Sequence, residues 1–434
     1  MDAKEFPRRR KRLMDMMGDE SVAIIPTASV QIRNRDVTFP FRPDSDFYYL
    51  TGYPEPEAVA MLIPGRSSGE YILFCRERDQ KMETWHGRRA GLEGAVEQYR
   101  ADDAFPIEDL DEILPGLLED REMIYYTLGN DQAFDHRVVG WVKQVRDKVR
   151  TGVNAPDEYI SLTHILHDMR LYKSRHEVKA ISQAARISAQ AHRRAMQICR
   201  PGLKEYQIEA ELVHEFMRLG ARYPAYAPIV GGGSNSCILH YTENSDELRG
   251  GDVLLIDAGA EYDGYASDIT RTFPVNGEFT REQRAIYDIV LAAQLAAIAQ
   301  VRPGKHWNDP HDAAIDVLTE GLLELGILKG RKQQLIKEHA YSKYYMHRTG
   351  HWLGMDVHDV GEYKVDGEWR LLEPGMVMTV EPGLYFPAVR ELSRKWWNIG
   401  VRIEDDVLVT SESQDVLSKD LPKDPDSIQA LMAA

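Results

Sequence analysis

Short apolar runs alternate with polar, helix-like stretches through the first 170 residues of the chain. Four runs are predicted as strands because each is short, apolar and bounded by Pro or Gly: residues 22–25, 47–50, 58–63 and 71–75. A helix is expected around residues 134–149. Strands interspersed with helices predict an α/β domain in this part of the chain.

A long amphipathic helix is predicted to begin directly after Ser174. Ser174 and Glu177 form a capping box, in which the Ser side chain accepts from the third N–H and the Glu side chain reaches back. An apolar stripe at helical spacing follows, and His192 lies on it, so we interpret His192 as a core histidine. The domain boundary is placed just before this cap, which gives domains of residues 1–172 and 173–434.

The second domain repeats one of its own patterns. Residues 251–259 read Gly-x-Val-x-x-x-Asp-x-Gly, and residues 375–383 read Gly-x-Val-x-x-x-Glu-x-Gly. Two long helices also end in Arg-Pro-Gly, at residues 200–202 and 302–304. Two matches in the same order along the chain predict a duplicated αβ unit with its acids in equivalent places.

Two carboxylates are predicted to share one face of a β-hairpin. An apolar run ends at Asp257, Asp263-Gly264 is a strong two-residue turn, and the return strand carries Asp268. In that register Asp257 faces Thr270 and lies diagonal to Asp268 on the same face. Like charges this close cost stability unless a cation lies between them, so a metal ion is expected; solvated acids on an exposed face are the alternative.

A second acidic pair is expected further along the chain. One β-rich run ends at Glu381, and residues 400–409 are predicted to form one alternating strand. On that strand Arg402, Glu404 and Asp406 share one face. An Arg beside acids is compatible with a structural ion pair or with the orientation of a ligand carboxylate.

Three histidines cluster at His347, His351 and His358. Gly350 among them argues against a regular helix, and no HExxH zinc motif occurs. An extended path would put His351 and His358 on opposite faces, whereas an irregular path would bring both to one cavity. His240 is expected on a strand, where a structural role is the usual one for a lone histidine.

Composition narrows the class of protein. Lys and Arg number 53 against 69 Asp and Glu, and the net charge of −16 argues against nucleic-acid and anionic-membrane partners. No apolar run approaches the length of a membrane span. Cys75, Cys199 and Cys237 include no CxxC pair, which argues against a disulfide framework or zinc ribbon and predicts a cytoplasmic protein. The basic run at residues 8–12 is interpreted as a solvated helix face.

Five positions together resemble the ligand set of the pita-bread metallopeptidases: Asp257, Asp268, His351, Glu381 in Val-Glu-Pro-Gly, and Glu404 in Arg-Ile-Glu-Asp. The phrases around Asp257 and His351 are most similar to the Xaa-Pro aminopeptidase (aminopeptidase P) group of that family. Residues 41–52 and 84–89 are similar to the N-terminal domain of the same group.

The resemblance implies an α/β N-terminal domain plus an α+β pita-bread catalytic domain with an internal pseudo-twofold duplication. It implies a hydrolase: a metal-dependent aminopeptidase that releases the N-terminal residue from peptides with proline in second position, through a metal-bridging hydroxide. A prolidase restricted to Xaa-Pro dipeptides is the alternative. A non-enzymatic pita-bread binding module is a third possibility, but it would not need the full ligand set.

The resemblance also assigns roles. It implies that the metal ligands are Asp257, Asp268, His351, Glu381 and Glu404. It implies that the catalytic residues are Glu381 as general base and then acid, His240 and His358 at the substrate and its oxyanion, and Arg402 as an orienting group. It implies substrate contacts by His347, Tyr385 and Trp85.

Cofactors and partners follow from the same resemblance. Two divalent ions are expected, with manganese first and cobalt, zinc or iron as alternatives, since oxygen-rich ligands with one histidine suit these metals. Peptides with proline in second position are the expected partners. A homo-oligomer, dimer or tetramer, is also expected, with Trp85 placed at a neighbouring subunit's site. Arg348 stands where the family pattern has glycine, which bears on loop conformation and substrate fit.

Overall fold

A computed structural model describes residues 3–433, and its contacts divide the chain between Met169 and Arg170. The sequence places the boundary after residue 172. Each unit has its own hydrophobic core. None of the helices within residues 3–433 combines the length and apolar character that a bilayer span requires.

The N-terminal unit is built on a six-stranded mixed sheet in the order β6-β5-β4-β1-β7-β8, flanked by helices. Its strands are β1 (Ser21–Pro26), β2 (Ile32–Asn34), β3 (Val37–Thr38), β4 (Val59–Leu62), β5 (Tyr71–Cys75), β6 (Asp103–Pro106), β7 (Met123–Tyr125) and β8 (Glu158–Ile160). Its helices are α1 (Glu5–Met17), α2 (Ser45–Thr51), α3 (Gln80–His86), α4 (Gly91–Glu97), α5 (Leu110–Leu117), α6 (Gln132–Arg146) and α7 (Thr163–Leu171), the last of which crosses the division. The α/β architecture expected here is confirmed.

One predicted strand of this unit is wrong. Residues 47–50 lie in α2, whose first turn is capped because the Asp44 side chain accepts from the backbone N–H of Phe47 at 3.0 Å. Gly52 ends the helix in the left-handed region, with φ of 65°. A four-residue apolar run cannot by itself distinguish a buried strand from a short buried helix, and the cap decides.

The basic run at the N-terminus is only in part the solvated helix face that was expected, because Arg8, Lys11 and Arg12 are exposed but the two residues between them are not. Arg9 and Arg10 in α1 are buried and donate to the backbone carbonyls of Tyr49 and Leu50 at 3.0 and 2.9 Å. The Arg10 guanidinium also lies 3.9 Å from the ring centroid of Tyr71. These contacts fasten α1 to the rest of the unit.

The C-terminal unit contains the long helices and the remaining short strands. Its helices are α8 (Arg175–Ile198), α9 (Glu205–Arg218), α10 (Arg281–Ile298), α11 (Asp309–Glu324), α12 (Lys332–Lys337) and α13 (Pro425–Ala433). Its strands are β9 (Tyr223–Pro224), β10 (Ile229–Gly232), β11 (Val253–Asp257), β12 (Ala260–Tyr262), β13 (Tyr265–Ala266), β14 (Thr270–Pro274), β15 (Lys364–Val365), β16 (Glu368–Trp369), β17 (Val377–Val380), β18 (Gly383–Phe386), β19 (Ile399–Arg402), β20 (Asp405–Val409) and β21 (Gln414–Val416).

The expected duplication is visible in the order of these elements. Helices α8 and α9 pack together and precede the antiparallel pair β11–β14, while α10 and α11 pack together and precede the antiparallel pair β17–β20. The predicted capping box of α8 is present: Ser174 Oγ accepts from Glu177 N, and Glu177 Oε2 accepts from Ser174 N. His192 is a core histidine, fully buried with Nε2 3.0 Å from the Ala258 carbonyl oxygen.

A buried ion-pair cluster fastens residues 421–423 to the rest of this unit. Asp405 pairs with Arg271 at 2.8 Å and with Lys423 at 2.6 Å. Burial alone would raise the pKa of Asp405, but the two cations outweigh it and hold that pKa well below its usual range. Arg271 also donates to the backbone carbonyls of Leu421 and Pro422 at 3.2 and 3.1 Å.

Candidate metal centre

The first two candidate ligands lie on the predicted hairpin. Tyr262 pairs with Tyr265, so Asp263-Gly264 is the two-residue turn, and both turn residues have positive φ, 52° and 78°. Asp257 faces Thr270 in the β11–β14 register, as predicted.

Tyr226 joins Asp257 to Asp268. Its hydroxyl lies 2.6 Å from Asp257 Oδ1 and 2.5 Å from Asp268 Oδ1. Asp268 is further fixed because its backbone N–H points to both oxygens of buried Asp406, at 3.1 and 3.3 Å. The two hairpin carboxylates therefore share one buried pocket. Tyr226 stands in no recognisable motif, so nothing in the sequence singled it out.

His351 meets these acids from a loop that runs against β17. Its Nε2 lies 3.3 Å from Asp268 Oδ2 and 3.8 Å from Glu381 Oε1. Its Nδ1 lies 2.9 Å from the backbone oxygen of Trp352, which suits an Nδ1–H donor, so Nε2 is the nitrogen that faces the acids. The path is irregular, as the glycines predicted: a Cβ on Gly350 would lie 2.0 Å from the Thr379 carbonyl oxygen.

Glu404 reaches the same pocket from the short interruption between β19 and β20. The prediction of one strand over residues 400–409 is wrong, because β19 pairs with β18 and β20 pairs with β17, and Glu404 lies between them. Thr270 Oγ1 donates to Glu404 Oε2 at 2.7 Å, and Glu404 N donates to the Thr270 carbonyl at 3.1 Å. The break turns the Glu404 side chain toward the hairpin acids.

The cluster carries more negative charge than its surroundings compensate. Burial, followed by the neighbouring carboxylates, raises the pKa of Asp268 and Glu404, and burial raises that of Glu381 to about 7. Burial opposes a charge on His351, but its hydrogen bond to Asp268 and the nearby acids outweigh this and raise its pKa to about 9. These directions describe a pocket that favours positive charge.

Arg402 and Tyr385 lie behind the acids. Arg402 is buried and contacts Asp257 Oδ2 at 2.6 Å through Nη2. Its Nη1 donates to the Tyr385 hydroxyl at 3.0 Å, and that hydroxyl lies 2.8 Å from His347 Nε2. Tyr385 has no exposed surface, so in this structure it contacts Arg402 and His347 rather than the open cavity.

His358 and His240 face the open side of the site. The rings of His351 and His358 are adjacent, with centroids 4.4 Å apart. Within residues 3–433 the His358 ring has no hydrogen-bond partner, which argues against a purely structural role for it. His240 was expected on a strand, but it lies in a turn after a short 3-10 helix, Gly233–Cys237, and is exposed.

A cavity of about 780 Å³ unites the site. Nine residues predicted from the sequence line it: His240, Asp257, Asp268, His347, His351, His358, Glu381, Arg402 and Glu404. The sequence did not predict a place in the site for six further lining residues: Leu239, Trp307, Gly350, Tyr363, Lys364 and Trp369. Arg348 also lines the cavity, and the sequence marked it only as a departure from the glycine of the family pattern. Trp85 belongs to the N-terminal unit, where 76% of it is exposed.

The donor set fits divalent metal. Asp268, His351 and Glu404 each offer a ligand atom, and these atoms all lie within 4.8 Å of one another. The Tyr226 hydroxyl bridges Asp257 to Asp268 of this group, and Glu381 Oε1 lies 3.8 Å from His351 Nε2. Carboxylate oxygens with one imidazole are suitable ligands for hard or borderline divalent ions, and close buried carboxylates need such a charge between them.

Two protein-family models match the chain. The model of metallopeptidase family M24 matches residues 179–411, and that of the aminopeptidase P N-terminal domain matches residues 6–125. The chain belongs to metallopeptidase family M24. The predicted resemblance is therefore confirmed, as is the pita-bread architecture of the C-terminal unit.

Individual members of the family match the chain along its whole length. The Xaa-Pro aminopeptidase of Escherichia coli K12 is 45% identical over 99% of this chain and 98% of its own length, and that of Haemophilus influenzae is 43% identical over 99% and 97%. The structure of Pseudomonas aeruginosa aminopeptidase PepP is 57% identical, with a TM-score of 0.99 over 100% of this chain and 98% of that one. A zinc-substituted E. coli aminopeptidase P in complex with product is 44% identical, with a TM-score of 0.97 over 100% and 98%.

Proposed function

We propose that this chain is a metal-dependent aminopeptidase that releases the first residue of peptides with proline in second position. The observation that carries the proposal is the gathering of four carboxylates and His351 in one cavity. Relatives named Xaa-Pro aminopeptidase cover 99% of the chain and support the substrate class. The same names do not favour a prolidase restricted to dipeptides.

Two divalent ions are the proposed cofactors, with manganese as the first choice and cobalt, zinc or iron as alternatives. The proposed ligands are Asp257, Asp268, His351, Glu381 and Glu404. Four carboxylates with one histidine support a hard ion over a soft one, and the M24 family supports a metal-dependent hydrolase. When bound, such ions supply an activated water and polarise a carbonyl group.

Glu381 is the proposed proton carrier. Glu381 lines the cavity, and its Oε1 lies 3.8 Å from His351 Nε2, so its carboxylate stands beside the place where the attacking water would be held. One of its carboxylate oxygens accepts a proton from the attacking water. The same oxygen returns the proton to the proline nitrogen as the bond to it breaks. Arg402 holds Asp257 in place during these steps.

His240, His358 and His347 are the proposed substrate-binding residues. His358 and His240 face the cavity, where each can donate to a substrate carbonyl oxygen or to the oxyanion that develops from it. Burial lowers the pKa of His347 to about 3, so its ring is neutral and suits an apolar proline ring. Tyr385 orients His347 from behind.

Proline substrates set a requirement that this site meets. A peptide bond to proline has no N–H, so a peptidase that grips that N–H loses a contact. A site that instead holds the free amino end among carboxylates and polarises the carbonyl keeps its main contacts.

The proposal extends to organisation and location. We propose domains of residues 1–172 and 173–434, supported by family models that end before and begin after this boundary. We also propose a homo-oligomer, either a dimer or a tetramer. In this assembly the exposed Trp85 contributes to the site of a neighbouring subunit. A cytoplasmic location is proposed, supported by three cysteines present as free thiols.

Product analysis tests the proposal. The full chain with added manganese is incubated with Ala-Pro, Ala-Pro-Ala and Ala-Pro-Ala-Ala, and with matched peptides that have Ala in place of Pro. Release of the first residue from the two longer proline peptides, with little from the alanine peptides, is expected. Cleavage of the dipeptide alone would move the assignment to prolidase, and equal cleavage of both series would remove the proline requirement.

A further inference from the structure

One wall of the cavity carries positive charge. Arg348, Lys364 and Trp369 all line it. The Arg348 guanidinium lies 5.1 Å from the centroid of the Trp369 ring, and Lys364 Nζ lies 4.5 Å from the same centroid. Two cations therefore converge on one aromatic ring. These three residues are called the cationic wall below.

Neighbouring contacts hold the wall in place. Lys364 and Trp369 are opposite each other on the β15–β16 hairpin. The Trp369 carbonyl oxygen lies 2.7 Å from His306 Nδ1, and Arg348 donates to the side chain of Asn308. The cations are thus presented by a hairpin and a loop that are both fastened to the segment before α11.

Within residues 3–433 neither cation forms an ion pair. In the described part of the chain no carboxylate oxygen lies within 4.0 Å of Arg348 or Lys364, and both side chains are exposed. Cations that line a cavity without acidic partners attract anionic groups of a ligand and discriminate against cationic ones.

The wall lines the same cavity as His347, the residue that we assign to proline. His347 Nδ1 is 3.8 Å from Glu381 Oε2, at the acidic cluster. Arg348 follows His347 directly, but its side chain extends away to Asn308 and Trp369. The next substrate residue lies about 3.3–3.6 Å further along an extended chain, and a cavity of about 780 Å³ has room for it.

We infer that the cationic wall is a subsite for a carboxylate on the residue after proline. That carboxylate is either an acidic side chain or the C-terminus of a tripeptide. The inference rests on the proposed function, which directs the substrate's amino end to the acids. A substrate with a positive amino end and a negative group two residues later then matches the charges of the cavity at both places.

Three peptides test the inference with the manganese-loaded full chain: Ala-Pro-Glu-amide, Ala-Pro-Gln-amide and Ala-Pro-Gln with a free carboxyl end. We expect kcat/KM for at least one charged peptide to exceed that for Ala-Pro-Gln-amide by on the order of 5- to 30-fold, mainly through KM. The advantage should shrink as salt is raised. Which charged peptide gains tells a side-chain carboxylate from a terminal one.

Two pairs of substitutions assign the preference to the wall. In the Arg348→Gln/Lys364→Gln protein the charged-to-neutral ratio should fall close to one. Because it is a ratio, a general loss of activity from a disturbed loop cancels. The matched control is Arg394→Gln/Lys395→Gln, which removes cations 5.5 Å from the Trp397 ring and 4.6 Å from the Trp396 ring, outside the cavity. It should keep the ratio.

The outcomes separate the two levels of the assignment. Equal kcat/KM for the three peptides would overturn the carboxylate subsite, and so would a charged-to-neutral ratio that is unchanged in the double variant. In either case, cleavage of Ala-Pro-Gln-amide leaves the proposed function standing. Failure to cleave any of the peptides overturns the proposed function and the subsite with it. Lys364→Gln alone, on the exposed hairpin, should lower the ratio in part and serves if the double variant does not fold.

Discussion

His351 and His358 are neighbours whose surroundings give them different tasks. His351 is tied on both ring nitrogens, to the Trp352 carbonyl on one side and to Asp268 on the other. The His358 ring touches the His351 ring and otherwise faces the cavity. Burial and then the nearby His351 lower the pKa of His358, so it is neutral at neutral pH and donates through one ring nitrogen.

Removal of each ring should therefore have a different signature. His358→Ala should keep bound metal and lose turnover by on the order of 10²–10³-fold, as for a lost oxyanion donor. His351→Ala should lose metal affinity as well as turnover. Metal content, melting temperature and kcat of the two proteins distinguish them. A destabilised His358→Ala protein with near-normal turnover would contradict the assignment.

Single residues were predictable where a local rule applied to them. The tight turn at Asp263-Gly264 fixed the register that brings Asp257 near Asp268. Tyr226, which touches both of those acids, lies in the short connection between β9 and β10 and has no sequence pattern of its own. Contacts of that kind depend on long-range packing, which the sequence does not display.

At the scale of elements, the loop that carries His351 owes its path to close contact with β17. Gly350→Ala would place a Cβ 2.0 Å from the Thr379 carbonyl oxygen, a backbone atom that cannot move alone. We expect a loss of stability of about 1–3 kcal/mol or more, with weaker metal binding, because the loop must leave the strand.

A second glycine provides the control for that substitution. Gly140 lies inside α6, and a Cβ added there would have nothing within 4 Å of it, so Gly140→Ala should be neutral or stabilising by about 0.5–1 kcal/mol. Urea unfolding and manganese titration of both proteins make the comparison. Wild-type stability and metal affinity in Gly350→Ala would show that the loop tolerates the displacement.

Elements were predicted well where a cap or a turn marked them, as at Ser174 before α8. They were predicted wrongly where the apolar pattern alone decided. Residues 47–50 have too few positions to show a helical period, and it is the Asp44 cap that makes them helical. Residues 400–409 alternate like one strand, but their two halves pair with different partners, β18 and β17, and the break between them delivers Glu404.

For the whole molecule, the acid cluster makes the stability of the metal-free protein depend on pH. The pKa of Glu381 is raised from 4.5 to about 7, and that of His351 from 6.5 to about 9. Both groups bind protons more tightly in the folded state, so their stabilisation is present at low pH and is lost as pH rises through about 7 and then 9. The pKa of Asp257 is lowered instead, because the charge of Arg402 outweighs burial. Its protonation therefore affects stability only below pH 4.

In chelator, the melting temperature should therefore fall between pH 6.5 and pH 8.5, by on the order of a few degrees. Below that range the buried histidines of lowered pKa, His192, His311 and His347, change stability in the opposite direction. Manganese should raise it more at pH 8.5 than at pH 5, since bound cations take the place of the protons. Glu381→Gln has no proton to lose and should show a shallower fall in chelator. Scanning calorimetry across the pH range measures all three, and a metal-free protein that gains stability up to pH 8.5 would contradict the argument.

Metal removal should abolish activity without unfolding the chain. The catalytic unit has a large buried core of its own, so its folding does not depend on metal as that of a zinc finger does. Circular dichroism should be unchanged after chelation, turnover should vanish, and added divalent metal should restore it. Full turnover in protein with no detectable metal would end the metal mechanism.

The ion-pair cluster at Asp405 has a consequence for the order in which the molecule is made. Its partners Arg271 and Lys423 lie far apart in the chain, and Arg271 also holds the carbonyls of Leu421 and Pro422. During synthesis from the N-terminus, Arg271 is buried beside its partners only after the chain has been made as far as Lys423. Glu404 precedes Asp405 directly, so the last metal ligand is secured by the same event. Competence to bind metal therefore arrives only after Lys423 has been made, and a nascent chain that stops short of Lys423 carries the hairpin acids without a finished site.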